Sequence, residues 1–268
     1  MFAKLNHLAI VSENYALSGK FYEAMFGMKT ASRARPQSAV VVGDGYLGLN
    51  INPRRAGRMA RLDHFGIEVE DVEAVFGRMR RDYPRLQWLK RASNRPFAGI
   101  TTHDADGNVF DLSQRDMTNR RDVYVEMAGI HPRHVDHFAL RTMNPAELAA
   151  FYRDIFEFEP RNKTDGDENY YLSDGHITMV IMPWHITDYD GTGISSPALD
   201  HIGFTVESVD AFQTELTTIV NANPSLAPFP VGTGPEGEAR LELAKKSCPL
   251  CQHHLADIDG VLLSVSER

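Results

Sequence analysis

Residues 4–11 alternate between two kinds of side chain, the period of two expected of a strand with distinct faces. Over residues 13–26 the period lengthens to that of a helix, with Leu17, Phe21, Ala24 and Met25 at helical spacing and Gly27 placed as C-cap. Three short strand-like runs follow, at about 29–33, 39–42 and 46–51. The pattern reads as βαβββ.

The unit recurs. Asn6-His7-Leu8-Ala9-Ile10 and Asp136-His137-Phe138-Ala139-Leu140 are nearly one string, and an aromatic pair follows each, Phe21-Tyr22 and Phe151-Tyr152. His7 to His137, Phe21 to Phe151 and Phe26 to Phe156 share one offset of 130 residues. A second pair, residues 62–69 and 199–206, carries His64 and His201 at matching positions. Helical patterns follow at 72–79 and 209–220, and then Asp/Gly turns at 104–108 and 257–260 lead into the strands 109–113 and 261–266. Four modules result, at about 1–53, 62–115, 134–184 and 199–268, joined by a polar segment 115–133 and a Gly/Asp/Ser-rich loop 187–196.

Composition narrows the classes. At 268 residues, with 43% apolar and 24% charged positions, the chain can build an ordinary core without staples. A net charge of −8 argues against nucleic acid, and the basic run 78–91 reads as the outer face and exit of a helix. No apolar run reaches the roughly 18 residues of a membrane span. Met1 to Leu5 opens without a signal-peptide pattern, so a cytoplasmic location is expected. Cys248 and Cys251 form a lone CxxC, too little for a disulfide framework.

The strand-opening histidines, the Phe-Tyr pair and the Asp-x-Asp-Gly-Asn turn together resemble the vicinal oxygen chelate superfamily of glyoxalases, fosfomycin- and bleomycin-resistance proteins and type I extradiol dioxygenases. The resemblance covers nearly the whole chain. It implies an α+β fold of four βαβββ modules, paired into two glyoxalase-like domains with curved mixed sheets. These would be residues 1–118 (modules one and two) and 131–268 (modules three and four). Such sheets close a cleft. Strand alternation then sends His7 into it with Leu5 and Ala9, and His64 with Leu62 and Gly66, while Leu8 and Ile10 pack under the helix. On the closing strand Asp111 shares a face with Val109 and Ser113, opposite Phe110 and Leu112.

His7, His64 and Asp111 would make a two-histidine, one-carboxylate set, which suits Fe(II) and leaves positions for substrate and O₂. The resemblance implies the same positions, with His137, His201 and Ser264 as their counterparts. Two departures stand out: Asp111 is shorter than the family's usual glutamate, and Ser264 offers no anion where characterised dioxygenases keep their working site. A second-half set of His137, His201 and His254 is an alternative, as is zinc on Cys248, Cys251 and a histidine. His254, or His103, is the candidate proton carrier. His131 and His134 need no function, and one of Tyr170 and Tyr171 can face the cleft.

The expected function is a metal-dependent dioxygenase of a catecholic or related small aromatic, with O₂ as co-substrate. Fe(II) is the expected metal, with Mn, Zn or Ni as substitutes. A glyoxalase-type isomerase or lyase, or a metal-free protein sequestering a small planar ligand, are the competing readings. A homodimer is allowed but not required.

Overall fold

The structure, a computed structural model, describes residues 3–30, 39–91, 99–115 and 132–267. The domain limits expected at 118 and 131, and His131, lie outside the described residues.

Module one comprises β1 (Ala3–Ser12), α1 (Tyr15–Phe26), β2 (Lys29–Thr30), β3 (Val40–Gly43) and β4 (Gly48–Pro53). Module two comprises β5 (Arg61–Val69), α2 (Val72–Asp82), β6 (Trp88–Lys90), β7 (Ile100–His103) and β8 (Val109–Gln114). Module three repeats the order as β9 (His134–Thr142), α3 (Pro145–Phe156), β10 (Glu159–Pro160), β11 (Tyr170–Ser173) and β12 (Thr178–Pro183), and the short α4 (Ile186–Tyr189) follows. Module four has β13 (Leu199–Val206), α5 (Val209–Ala222), α6 (Gly234–Ser247), β14 (His253–Ala256) and β15 (Leu262–Glu267). It therefore departs from the repeat: α6 stands where the first of three strands was expected. Gly27 caps α1 as expected, with a left-handed φ of 66° that costs a residue without Cβ little.

Each half is one mixed sheet, in the order β2-β3-β4-β1-β5-β8-β7-β6 and β10-β11-β12-β9-β13-β15-β14. The first strands of paired modules lie antiparallel at the centre, and each is flanked by a parallel strand from its own module. Two central histidines and the closing strand thus become neighbours without any long-range coincidence.

The expected face assignment fails in one respect. Both central pairs carry bulges, which fall at Asn6, Asp63, Asp136 and Asp200, the residue before each histidine. A bulge puts two consecutive side chains on one side and breaks strict alternation. Leu5 and Leu62, expected in the cleft, are instead part of the core with Leu8, Ile10 and Phe65. Phe110 and Leu112 are core and Asp111 faces the other way, as alternation predicts.

One core serves both halves. Phe26 of α1 stacks on Phe204 of β13 with ring centroids 3.8 Å apart, and Phe65 of β5 meets Phe138 of β9 at 5.1 Å. Polar contacts cross between the halves in matched pairs. Leu5 N donates to Asp174 at 2.8 Å, and Val135 N donates to Asp44 at 2.8 Å. Tyr22 Oη donates to Asp257 at 2.9 Å, and Tyr152 Oη donates to Asp104 at 2.7 Å. The Phe-Tyr pairs and the acidic turns, separate motifs in the sequence, are two ends of one contact.

Asp257 has a pH consequence. Burial lifts its carboxyl from 3.8 to about 6, against the bonds from Val261 N, Tyr22 and Asp259 N that favour the anion. Its contribution to stability is fully present below about pH 4 and is lost as pH rises towards 6, where the folded chain must bury the charge. Asp257→Asn should therefore raise stability at pH 8 by about 1–3 kcal/mol and leave it nearly unchanged at pH 4. Thermal melts of both proteins at the two pH values check this.

Candidate metal centres

Each half brings metal-binding side chains to a point on the cleft face of its sheet. In the first, His7, His64 and Asp111 offer donor atoms within 4.8 Å of one another. Asp111 Oδ2 is 3.9 Å from His7 Nε2 and 3.5 Å from His64 Nε2, so the shorter carboxylate does reach. The two imidazoles stand edge to face, with centroids 5.8 Å apart and planes at 89°.

The residues at the bulges explain the aim of the rings. His7 Nδ1 is 2.7 Å from Asn6 Oδ1 and His64 Nδ1 is 2.9 Å from Asp63 Oδ2. Both acceptors fix the proton on Nδ1 and leave Nε2, the nitrogen facing Asp111, with its lone pair for a metal. Asp111 is held in turn by the Thr101 hydroxyl, which accepts from Arg91 Nε at 2.6 Å. Burial works against the charges here. The carboxylates of Asp111 and Asp63 outweigh it and push His64 up to about 9, and His64 and His7 with Thr101 draw Asp111 down. Gly66 makes the room: a Cβ there would lie 2.1 Å from His7 Cε1. Sequence reasoning passed over these Asx-His pairs and glycines, although all four Asx-His steps stand in the repeat it found.

The second half repeats the frame with other donors. His137 Nδ1 meets Asp136 at 3.0 Å and His201 Nδ1 meets Asp200 at 2.7 Å, with the rings 5.4 Å apart at 89°. Gly203 leaves the space for His137 that Gly66 leaves for His7. Ser264, in register with Gly203, puts its hydroxyl 3.2 Å from His137 Nε2. The anionic donors come from elsewhere: Cys248 and Cys251 complete a group with His137 and His201 within 4.8 Å. The Cys248 thiol donates to the Cys251 sulfur and holds it well below the usual thiol range, helped by His137 and His201; the same bond and burial raise Cys248.

The expected proton carriers do not fit the first cleft. His254 lies on β14 of the second sheet, opposite Ser264, with a buried Nε2 that has no hydrogen-bond partner among the described residues. It does not join a converging group, so the set His137, His201 and His254 is not assembled. His103 accepts from Gln87 N at Nε2 and donates from Nδ1 to Asp104 O, so both ring nitrogens serve the backbone. Of the tyrosine pair, Tyr171 is on the cleft side and Tyr170 packs against the core.

The clefts differ in what covers them. Ala139, Val180 and Met182 of the second are fully buried with Tyr171 and Cys248. Ala9, Asn50 and Asn52 occupy the corresponding register in the first, where the asparagines are polar and half-buried.

Duplicated modules that set two histidines on central strands and a third donor beside them define a metal-binding fold of the glyoxalase type. A family model described as Glyoxalase/Bleomycin resistance protein/Dioxygenase superfamily matches residues 4–112 and 134–243, and the chain belongs to that superfamily. It is 24% identical over 175 residues to the manganese-dependent 2,3-dihydroxybiphenyl 1,2-dioxygenase of Geobacillus genomosp. 3, a match covering 59% of this chain and 55% of that enzyme. The chain thus spans about half the length of the curated relative it matches. Among solved structures, a catechol 2,3-dioxygenase aligns with a TM-score of 0.64 at 11% identity, over 100% of this chain and 88% of the other. The Mn(II)-bound glyoxalase from Novosphingobium aromaticivorans aligns with 0.65 at 13%, over 99% and 82%. At these identities the likeness to the solved structures is one of fold.

Proposed function

We propose that this chain is a metal-dependent dioxygenase that cleaves a small oxygenated aromatic ring of the catechol type, with its working centre at His7, His64 and Asp111. The observation that carries the reading is the contrast between the clefts. Three donors meet on the first with polar, half-buried side chains around them, while the corresponding surface of the second is buried. The superfamily's dioxygenases, the manganese-dependent relative among them, support the reaction class.

The donor set fits Fe(II) or Mn(II). Two neutral imidazoles and one carboxylate suit a divalent ion that keeps open positions. When bound, the ion would supply Lewis acidity and a common template for both reactants. The chain's own residues do the rest. Asn6 and Asp63 hold Nδ1 of the two rings and turn Nε2 towards the site, where a bound ion would displace any Nε2 proton. With one negative charge from Asp111, a divalent ion here would retain net positive charge to attract an ionised phenolic oxygen. Arg91, half-buried and 3.9 Å from Asp111 Oδ1, adds a fixed cation beside that point. Asn50 and Asn52, on the cleft face of β4, give the substrate's polar edge hydrogen-bonding surface.

Anaerobic loading with Fe(II) and with Mn(II) tests the assignment. Wild type should retain the ion and cleave a catechol, read by the absorbance of the ring-opened product. Asp111→Ala should lose the first-site ion and at least about 1,000-fold in turnover, since a neutral site holds a divalent cation poorly. Equal Fe or Mn content in the two proteins would remove the site. Turnover of a hemithioacetal in place of a catechol would move the chain to the glyoxalase chemistry of its Mn(II)-bound structural neighbour. A wild type that holds no stoichiometric metal and shows no turnover, yet binds a planar ligand as well as Asp111→Ala does, would favour the metal-free sequestering protein.

A further inference from the structure

We propose that His137, His201, Cys248 and Cys251 form a closed zinc site that pins α6 and the turn after it across the second cleft. The inference is independent of what the first half catalyses.

The distances fit tetrahedral coordination. Bonds of about 2.3 Å to sulfur and 2.0 Å to nitrogen place S and N roughly 3.6 Å apart around zinc. Cys251 Sγ is 3.7 Å from His201 Nε2 and 3.9 Å from His137 Nε2, and Cys248 Sγ is 4.0 Å from His137 Nε2. A contraction of a few tenths of an ångström closes the shell. Both imidazoles present Nε2 because Asp136 and Asp200 occupy Nδ1. Asp200 is itself clamped by Arg141 and Arg240, each at 2.7 Å, so His201 has a rigid backing. Two thiolates with two neutral imidazoles make a neutral centre around a divalent ion, the charge balance a buried site requires.

The sulfurs arrive on the segment that departs from the repeat. Cys248 caps α6, and Cys251 N donates to Cys248 O at 3.3 Å, closing a turn that turns both side chains towards the histidines. Arg240 on α6 bonds Asp200, Arg141 bonds Ser247 Oγ at 2.9 Å, and Asn169 bonds Ser247 O at 2.8 Å, so the helix is tied to the cleft wall. Four protein ligands leave no position for substrate, which separates structural zinc from catalytic zinc. Where the first half has three donors, the second has Ser264 at the carboxylate position and two thiols carried in by the end of α6 and the turn after it.

The test uses the full chain purified from zinc-supplemented culture without chelator. Expected are about one zinc per chain by emission spectroscopy and, after exchange into Co(II), the intense near-ultraviolet thiolate-to-cobalt absorption of a tetrahedral site. Cys248→Ser/Cys251→Ser should lose zinc at least about tenfold, while Asp111→Ala keeps it. Should the serine variant not fold, the wild type still decides: both thiols should resist alkylation until a chelator is added. Zinc well below a tenth of an equivalent, a cobalt spectrum without thiolate bands, zinc lost on Asp111→Ala, or a Cys248–Cys251 disulfide in freshly purified protein would each overturn the proposal.

Discussion

Gly66→Ala is expected to strip Fe(II) or Mn(II) from the proposed first-half centre and to lower the proposed ring-cleaving turnover by about 100-fold or more, with the fold retained. The added methyl would stand 2.1 Å from His7 Cε1, 2.2 Å from His7 Nδ1 and 2.6 Å from Asn6 Oδ1. No contact survives at those distances, so the imidazole must swing away and break its bond to Asn6. Both functions of the ring fail together: its place beside Asp111 and the tautomer that turns the Nε2 lone pair towards a metal. The stability cost is that of an overpacked site, about 1–3 kcal/mol, which a domain of this size tolerates. Gly203→Ala is the mirror experiment, with a Cβ 2.0 Å from His137 Cε1. It should release zinc and spare the first-site ion. Gly77→Ala, on α2 with nothing within 4 Å of the new atom, should leave both metals in place and raise stability slightly. If Gly66→Ala kept full metal content and turnover, His7 could not be a ligand in the geometry described.

The sequence exposed the repeat because each copy must bury the same helix on the same strands, and a hydrophobic face leaves period and spacing behind. The three first-half donors were legible for the same reason: each lies at a fixed place in a duplicated unit. What escaped was local backbone geometry. Alternation assumes an unbroken pleat, and four bulges break it, which moved Leu5 and Leu62 into the core and brought Asn6 and Asp63 beside the histidines. The [Asn/Asp]-His step at all four strand starts carried that information, since a polar residue next to the histidine on a buried strand must point the same way. The second-half donors escaped for a different cause. The sequence offered His254 at the right distance from a turn, whereas α6 intrudes in module four and carries Cys248 and Cys251 to the histidines instead. Position within a repeat brings a side chain to the converging group only where the repeat is unbroken.

Phe26→Ala is expected to cost about 3–5 kcal/mol, and the shape of its unfolding curve matters as much as the loss. The ring belongs to the first half by sequence, yet it is buried against Phe204 at 3.8 Å and Phe212 at 5.4 Å, both from module four. Removing it opens a cavity in a core that both halves share. Arg133, buried beside it, donates to Met25 O at 2.5 Å and to Glu207 and Glu215, so the same region also holds the start of the second half against α1. Two halves that share a core unfold together, and the two tryptophans report them separately: Trp88 stacks on Phe76 in module two, and Trp184 bonds Ile194 O after module three. Denaturant curves of Trp88→Phe and Trp184→Phe proteins, each with and without Phe26→Ala, should move by the same amount and keep one midpoint per protein. A first-half reporter that shifts while the second-half reporter stays put would mean that the halves are energetically separate. The metal centres would then sit on independent supports, and the crossed tyrosine–aspartate contacts would contribute little to coupling them.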